Sequence, residues 1–336
     1  MSAGILPSQQ IEALIAARAI TTIAKFDPEQ VQPASLDLRL GARAWRVRAS
    51  FLPGLGRRVA DRIADVAMHE LDLTRGAVLE RGFVYIAEIA ERLRLPASVS
   101  ARANPKSSTG RIDVFVRTLT DHGPVFDDVA EGYAGPLYLE IAPQTFSVLA
   151  RAGTRLSQLR LRRGDPAALS VRSVGVDLET GGLAGYRARR HAGVIDLDLE
   201  DGHDPRDFWE PLESRHGELL LDPGEFYILA SKEPIHIPVL EAAEMTPIDP
   251  SVGEFRVHYA GFFDPGFGAP ETDSVGARAV LEVRGHETPF LLEDGQTVAR
   301  LVFQPLTERP VRLYGEDGSH YQRQGLRLSK HFKDWA

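Results

Sequence analysis

The sequence predicts a mainly β protein that contains two tandem copies of one module and a few short helices. Short runs of aromatic and β-branched residues, such as 83–86 (FVYI) and 226–229 (FYIL), recur along the chain. Glycine, proline and aspartate separate these runs, which is the pattern of strands joined by turns. We therefore expect strands to form most of the regular structure.

One helix is expected near the N-terminus. Ile11, Leu14 and Ile15 recur at helical spacing, and Ala19 extends the same face. Pro7 stands just before them, next to a serine that is a plausible helix cap, Ser8. This segment is therefore predicted to form a short amphipathic helix.

An internal repeat supports the two-module prediction. An offset of 142 residues aligns glycines, prolines and one Leu-Glu pair of the first half with the same residue types in the second half. Glycine and proline restrict the backbone at turns and strand ends, so their recurrence at one constant offset indicates a duplication. A chance likeness between two strand-rich halves is the alternative. The matched pairs are Gly82 with Gly224, Pro96 with Pro238, Pro105 with Pro247, Leu139 and Glu140 with Leu281 and Glu282, and Gly153 with Gly295.

The boundary between the copies is predicted at a basic, proline-containing stretch, residues 160–166 (RLRRGDP). Charged residues, glycine and proline are typical of a surface connection between domains. We therefore expect the first module to cover residues 1–164 and the second to cover residues 165–336.

The composition limits the classes of function. The chain has 336 residues, of which 43% are hydrophobic, so each half can form a core. It has no cysteine, which excludes disulfides, cysteine nucleophiles and metal sites built on thiolates. A formal net charge of -8 argues against a nucleic-acid partner and favours a small molecule. Because the sequence has no long apolar run and no signal-peptide pattern, we expect no membrane partner and a cytoplasmic location.

The turn at residues 104–111 (NPKSSTGR) combines two cations with three hydroxyl groups and a glycine. Lysine supplies a point charge and arginine a bidentate fork, while hydroxyl and backbone N–H groups supply further donors. These are the groups that phosphate oxygens require. A solvated polar loop is the alternative interpretation.

Two motifs in the first half together resemble the dCTP deaminase branch of the dUTPase-like family. They are residues 32–41 (QPASLDLRLG) and the turn 106–111, in the order and spacing of that family. The resemblance implies that each module is a dUTPase-like β-barrel or jelly roll. It also implies that Ser107 and Arg111 reach the reacting base. The triphosphate site that it implies consists of Lys106, Ser107, Ser108, Thr109, Gly110 and Arg111.

The second half carries the other features of that family. Residues 259–268 (YAGFFDPGFG) resemble its Asp-Pro-Gly-aromatic turn, and residues 280–283 (VLEV) resemble the strand that bears its catalytic glutamate, here Glu282. Residues 295–325 resemble its closing strand and its C-terminal tail, which covers the nucleotide. The base and sugar site that the resemblance implies consists of Asp264, Val280, Leu281, Glu282, Tyr314 and Gln324. The resemblance also implies nucleotide contacts from Ala260 and from His320 in the tail.

The resemblance implies hydrolytic deamination of dCTP to dUTP and ammonia, a step of pyrimidine deoxynucleotide metabolism. Glu282 would activate the attacking water, with Ser107 and the carbonyl of Ala260 polarising it. The zinc form of a cytosine deaminase needs a cysteine pair, which this sequence lacks, so we predict a zinc-independent hydrolase without a protein-bound metal. Magnesium would arrive bound to the triphosphate. The resemblance is also compatible with dTTP as an inhibitor. It further implies a homo-oligomer.

The two copies differ in the motifs that they keep. Residues 248–253 replace the phosphate turn in the second copy, and the first copy lacks the Asp-Pro-Gly-Phe turn. In the family each site lies between two modules, so these copies are complementary and one pair would form one site. Whether the pair belongs to one chain or to two chains stays open. Glu140, opposite Glu282 in the alignment, is interpreted as a relic of the duplication.

Three other functional interpretations stay open. A dUTPase shares the fold and the phosphate turn but releases pyrophosphate, using an aspartate to activate water. A bifunctional enzyme would perform both steps, with Asp264 as the candidate aspartate. A non-catalytic relative would only bind the nucleotide. The acidic residues from 196 to 204 are predicted to form a solvated connection, because Asp201 stands where a calcium loop needs glycine.

Overall fold

The computed structural model describes residues 3–179, 182–248, 255–257, 261–268, 276–316, 321 and 324–335, with only the backbone of 255–257. Strands dominate, as the sequence predicts. The helices are α1 (Ser8–Ala16), α2 (Val59–Val66) and α3 (Ser107–Gly110), with a 3-10 turn at Pro205–Asp207. Among the described residues, no helix has the length and apolar character that crossing a bilayer requires.

The strands of the first half are β1 (Gly4–Ile5), β2 (Ile20–Thr22), β3 (Leu36–Val47), β4 (Ala67–Asp72), β5 (Ala77–Leu79), β6 (Val84–Arg94), β7 (Val99–Pro105), β8 (Val114–Thr120), β9 (Asp128–Val129), β10 (Ala134–Pro143), β11 (Val148–Ala150) and β12 (Arg155–Arg163). Those of the second half are β13 (Ser170–Gly175), β14 (Gly185–Ala188), β15 (Ile195–Asp196), β16 (Trp209–Leu212), β17 (Glu218–Leu221), β18 (Phe226–Ile235), β19 (Glu241–Pro247), β20 (Phe255–Val257), β21 (Phe262–Phe263), β22 (Ala277–Gly285), β23 (Phe290–Glu293) and β24 (Thr297–Pro305).

Most strands of the first half form one strongly bent sheet in the order β8-β10-β6-β3-β12-β7-β9, whereas β5 and β11 pair with β15 in a separate sheet. Strand β3 makes the bend, because its first residues pair with β12 and its later residues pair with β6. Gly41 lies at the bend, where a Cβ atom would stand only 3.1 Å from the Cβ of Glu88. A glycine there lets the strand pass closely over β6 and fold the sheet toward a barrel.

The second half repeats this pairing in its two larger sheets, β16-β14-β18-β22-β20 and β13-β24-β19-β21, and β17 pairs with β23 separately. The offset of the sequence repeat superimposes the bounds of β7 on those of β19 and the bounds of β12 on those of β24. Glu140 pairs across the sheet with Ile86, and Glu282 pairs in the same way with Ile228. The prediction of a mainly β fold with two tandem modules is confirmed.

Turn details repeat as well. The hydroxyl group of Tyr85 accepts a hydrogen bond from the backbone N–H of Glu80 at 3.0 Å. The hydroxyl group of Tyr227 accepts one from Asp222 at 2.8 Å, at the same offset. Each tyrosine therefore fastens the turn that leads into its own strand.

The N-terminal helix forms where it is predicted, with Ile11 fully buried. The predicted cap is wrong by one residue. Pro7 occupies the cap position and Ser8 is the first helical residue. The backbone N–H of Ser8 donates instead to the carbonyl of Pro33 at 2.9 Å, so a loop residue supplies the acceptor that the first turn of the helix lacks.

The prediction that residues 160–166 form a surface connection is wrong for their first half. Strand β12 continues to Arg163, and the side chains of Arg160 and Leu161 are buried within it. The chain leaves the strand at Gly164, whose φ is +62°. A run of basic residues predicts a solvated segment. Arg160 is nevertheless buried, because its guanidinium forms an ion pair with the carboxylate of Asp264 in the other module. The exact domain boundary stays a prediction.

One of the hydrophobic clusters spans both halves of the chain. Phe146 of the first half packs edge-on against Trp209 and Phe208 of the second, with ring centroids 5.3 and 5.6 Å apart. Phe332, near the C-terminus, packs against the same two rings. The modules therefore form a continuous interface and not two bodies joined by a linker.

Arg160 makes the central polar contact of this interface. Its side chain is 2% exposed and forms an ion pair with Asp264 of the second half at 2.9 Å. It also donates to the carbonyl oxygens of Ala243 at 2.9 Å and Phe263 at 3.2 Å, and its guanidinium lies 4.0 Å from the ring centre of Phe262. One module thus inserts a charged side chain into the other.

We expect Arg160→Met to lower the free energy of unfolding by about 3–5 kcal/mol, because it leaves a buried carboxylate without its partner. Chemical denaturation measures this loss. The matched control is Arg162→Met on the same strand, whose ion pair with the half-exposed Asp128 should contribute less than about 1 kcal/mol. The double variant Arg160→Met with Asp264→Asn should recover part of the loss. Equal losses in the two single variants would contradict the account.

Candidate active site

A cavity of about 750 Å³ lies between the two halves of the chain. Its walls come from the turn after β7 and the start of β12 in the first half, and from β22, the Asp-Pro-Gly turn and the C-terminal tail in the second. The two groups of predicted residues therefore meet within a single chain. The predicted residues that line the cavity are Lys106, Ser107, Ser108, Thr109, Arg111, Asp264, Val280, Glu282, Tyr314 and Gln324.

The hydroxyl-rich turn is a single turn of helix, α3, held tightly against β12. The backbone N–H of Lys106 and the hydroxyl group of Thr109 both donate to the carbonyl of Leu156, at 3.0 and 2.9 Å. The N–H groups of Ser107 and Ser108 begin the helix, where no preceding turn supplies an acceptor. These two residues thus bring hydroxyl and amide donors to the cavity, whereas the hydroxyl group of Thr109 is used to hold the turn.

Lys106 reaches the cavity wall beside a buried carboxylate. Its Nζ atom lies 2.5 Å from Oδ2 of Asp37, whose side chain is almost fully buried. Arg155, at the start of β12, approaches the same oxygen atom at 3.8 Å. Asp37 belongs to the segment QPASLDLRLG and therefore links that segment to the phosphate turn.

Arg111 is buried and bridges the turn to the C-terminal tail. It donates to the side-chain oxygen of Gln324 at 2.9 Å and to the carbonyl of Arg327 at 3.1 Å. Its guanidinium also stacks on Tyr321, 3.8 Å from the ring centre. A further contact joins the hydroxyl group of Ser329 to the carbonyl of Ser108 at 2.9 Å. The tail is therefore fixed over the turn by residues on both sides.

Glu282 lies on β22 and is 3% exposed. Val280 and Glu282 face the cavity, while Leu281 between them is buried in the core of the second half, as strand alternation requires. Burial raises the pKa of Glu282 well above its ordinary value, the positive charge of Arg111 opposes the rise, and the negative charge of Asp113 adds to it. A buried carboxyl group of raised pKa is suited to accept and return a proton.

Two residues of the first half hold the Asp-Pro-Gly turn. Asn104 accepts a hydrogen bond from the N–H of Gly261 at 2.9 Å, and Arg160 binds Asp264. Burial raises the pKa of Asp264, and the ion pair with Arg160 opposes that rise. The turn closes on Tyr314, whose N–H donates to the carbonyl of Pro265 at 2.9 Å.

Not every predicted residue lines the cavity. Gly110 and the side chain of Leu281 lie outside its walls. Ala260 and His320 lie outside the described residues, so their predicted contacts stay predictions. Within the cavity, the residues that the sequence interpretation missed are Asp37 and Arg155. Asp37 lies within the predicted segment 32–41, whereas Arg155 lies outside every predicted motif, and only the folded chain brings both to Lys106.

Glu140 does not reach an equivalent cavity. It is buried in an ion pair with Arg117 at 2.5 Å and accepts a hydrogen bond from Ser50 at 2.5 Å. Val59 and Ile63 of α2 cover this face of the first sheet. The segment around α2 thus occupies the place that the phosphate turn takes against Glu282.

The acidic stretch of residues 196–204 begins at the last residue of β15, and two of its carboxylates bind one arginine. Arg151 contacts the carboxylates of Asp196 at 2.6 Å and Asp198 at 2.9 Å, and these contacts lower the pKa of Asp196. Among the residues that the structure describes, no group of three or more His, Asp or Glu side chains is arranged to hold a metal ion.

Comparisons with known proteins identify the family of this chain. A family model described as 2'-deoxycytidine 5'-triphosphate deaminase N-terminal domain matches residues 2–165, and the model of the C-terminal domain matches residues 154–332. A crystal structure of 2'-deoxycytidine 5'-triphosphate deaminase from Agrobacterium tumefaciens is 52% identical, with a TM-score of 0.88. That similarity covers 92% of this chain and 100% of the other.

Shorter relatives match part of the chain. A dCTP deaminase, dUMP-forming, from Coprothermobacter proteolyticus is 28% identical over 46% of this chain and 80% of its own length. A dCTP deaminase from Halorubrum lacusprofundi is 31% identical over 39% of this chain and 63% of its own length. With a family model over more than half of its length and a highly similar solved structure, this chain belongs to the dCTP deaminase family.

Proposed function

We propose that the chain hydrolyses dCTP to dUTP and ammonia with a water molecule that Glu282 activates. The observation that carries this proposal is the shared cavity, where the hydroxyl-rich turn of the first half faces the buried carboxyl group of the second. Phosphate donors and a proton acceptor thus stand on opposite walls of a space large enough for one nucleotide.

The triphosphate is assigned to the turn. Ser107 and Ser108 offer hydroxyl and backbone N–H donors, and Lys106 offers positive charge. Arg111 is fixed by Gln324 and Tyr321, so its guanidinium is already oriented before a ligand enters. Donors that need no rearrangement stabilise an anion more effectively than mobile ones. Magnesium bound through the triphosphate remains part of the proposal.

The base is assigned to the wall formed by Val280, Glu282 and the Asp-Pro-Gly turn. Glu282 takes a proton from water as the water oxygen attacks the amine-bearing carbon of cytosine. Glu282 passes this proton to the ring nitrogen and then moves the hydroxyl proton of the tetrahedral intermediate to the exocyclic nitrogen. The C–N bond breaks, ammonia leaves and the carbonyl group of uracil forms. A carboxyl group whose pKa is raised well above its ordinary value by burial can both accept and donate a proton in this reaction.

Zinc independence is proposed from the sequence. The zinc-dependent cytosine deaminases bind their metal with a histidine and two cysteines, or with three cysteines. This chain has no cysteine, so it cannot form that site. Activation of water is therefore assigned to Glu282, with Ser107 and Arg111 close to the reacting base.

A second candidate is a dUMP-forming enzyme that also releases pyrophosphate. Relatives from Coprothermobacter proteolyticus and Nanoarchaeum equitans carry that name. Asp264 lies in the same cavity and is the candidate base for the second step. The tight ion pair with Arg160 favours a binding role for this carboxylate, because it stabilises the charged form and engages one of its oxygen atoms.

The products distinguish these candidates. With dCTP as substrate, we expect one ammonia for each dUTP and less than a few per cent of that amount as pyrophosphate. With dUTP as substrate, we expect no pyrophosphate. Separate assays for ammonia and pyrophosphate provide the measurement. Equal amounts of both from dCTP would establish the dUMP-forming reaction instead, and nucleotide binding without either product would indicate a non-catalytic relative.

The two equivalent glutamates should differ sharply in activity. Glu282→Gln removes the proposed base and should lower kcat by about 10² to 10⁴-fold, the usual effect of losing general-base catalysis. Glu140→Gln is the matched control, because its side chain bonds Arg117 and Ser50 away from the cavity. It should retain near wild-type kcat below its melting temperature. If Glu140→Gln lost activity while Glu282→Gln kept it, the assignment would be wrong.

The pH dependence of kcat/KM should follow the ionisation of Glu282. Because burial raises its pKa, kcat/KM should rise with pH at values above the ordinary glutamate pKa of about 4.3. In Asp113→Asn a nearby negative charge is lost, so the pKa of Glu282 falls and the inflection moves to lower pH. Asparagine tolerates the φ of +55° at this position.

Asp128→Asn serves as the control for the pH experiment, because this surface carboxylate pairs with Arg162 outside the cavity. The inflection of the kcat/KM profile of Asp128→Asn should lie at the same pH as that of the wild type. An unchanged inflection in Asp113→Asn would argue against Glu282 as the titrating group.

A further inference from the structure

Next to Lys106, the cavity wall carries another cation that no motif identifies. Lys106 supplies only a point charge, and its ammonium group already lies 2.5 Å from the buried carboxylate of Asp37. The negative charge of Asp37 therefore offsets the positive charge of Lys106. A phosphate group at this end of the turn would meet little net positive charge if Lys106 were the only cation there.

Arg155 changes this balance. Its guanidinium approaches the same oxygen atom of Asp37 at 3.8 Å, so two cations share one carboxylate. Its side chain is 25% exposed and lines the cavity. The next residue, Leu156, holds the backbone of Lys106 and the hydroxyl group of Thr109, which fixes the start of β12 against the turn.

The present partner of Arg155 is easily exchanged. Its Nη2 atom lies 2.6 Å from Oδ2 of Asp27, whose side chain is 48% exposed. Ion pairs with solvent-exposed carboxylates contribute little to stability, so a phosphate can replace this one at small cost. A guanidinium has five N–H donors in a planar fork, which matches two oxygens of a phosphate group.

We propose that Arg155 is a further triphosphate-binding residue and supplies the bidentate contact that Lys106 cannot make. The nature of the ligand rests on the proposed function, but the binding of a triphosphate anion does not. Asp37 then positions both cations, and Asp27 orients Arg155.

Inorganic tripolyphosphate is the probe, and isothermal titration calorimetry on the full chain is the measurement. We expect Arg155→Gln to weaken its binding by about 10- to 100-fold, the usual effect of losing a hydrogen bond between charged groups. Arg155→Lys should recover part of the affinity. Asp27→Asn should leave affinity unchanged or raise it severalfold. The matched control is Arg163→Gln at the other end of β12, outside the cavity, which should bind as the wild type does.

Steady-state kinetics with dCTP give a second readout. Arg155→Gln should raise KM by a similar factor and change kcat by less than about threefold, because the contact lies far from the reacting base. A purely structural role would instead lower the melting temperature and leave the affinity of the folded fraction intact. Arg155→Lys preserves the charge, so it keeps the test usable if Arg155→Gln folds poorly.

The outcomes separate this inference from the proposed function. Wild-type tripolyphosphate binding in Arg155→Gln, or no binding by the wild type, would overturn the role of Arg155. Loss of tripolyphosphate affinity in Arg155→Gln would support it even if the wild type failed to deaminate dCTP. In that case only the proposed reaction would fail.

Discussion

The buried ion pair between Arg160 and Asp264 sets the geometry on which the rest of the structure depends. Arg160 lies on the last strand of the first half, and Asp264 opens the Asp-Pro-Gly turn of the second. A buried charge is stable only where its partner is present, so this pair fixes how one module docks on the other. That docking brings the phosphate turn opposite Glu282 and creates the cavity.

Duplication followed by loss explains the asymmetry of the chain. The equivalent faces of the two sheets present Glu140 and Glu282 at the same place in their pairing. One face is covered by α2 and neutralised by Arg117, whereas the other stays open to the turn of the partner module. The same scaffold thus forms a closed structural contact in one copy and one wall of a cavity in the other.

Much of the fold follows from the sequence because turns and strand periods are local. Gly82 and Gly224 recur at turns where the backbone has a positive φ. Runs of aromatic and β-branched residues predict the strands. The site was predictable only through resemblance, since Lys106 and Glu282 are far apart in sequence. The sequence predicts a surface position for Arg160, because a run of basic residues does not indicate that one of them has a buried carboxylate as its partner. The contact of Arg155 with Asp37 depends on how β12 meets β3, which no local pattern encodes.

We propose that each chain contains one complete site, divided between its two halves. Mixing two inactive variants, Ser107→Ala and Glu282→Gln, during co-refolding tests it most directly. If the site lies within one chain, every chain stays defective and no activity returns at any mixing ratio. If sites formed between chains, some assemblies would unite the intact turn of one variant with the intact glutamate of the other. Recovery of roughly a quarter of wild-type activity, the statistical share at equal mixing, would therefore contradict the account.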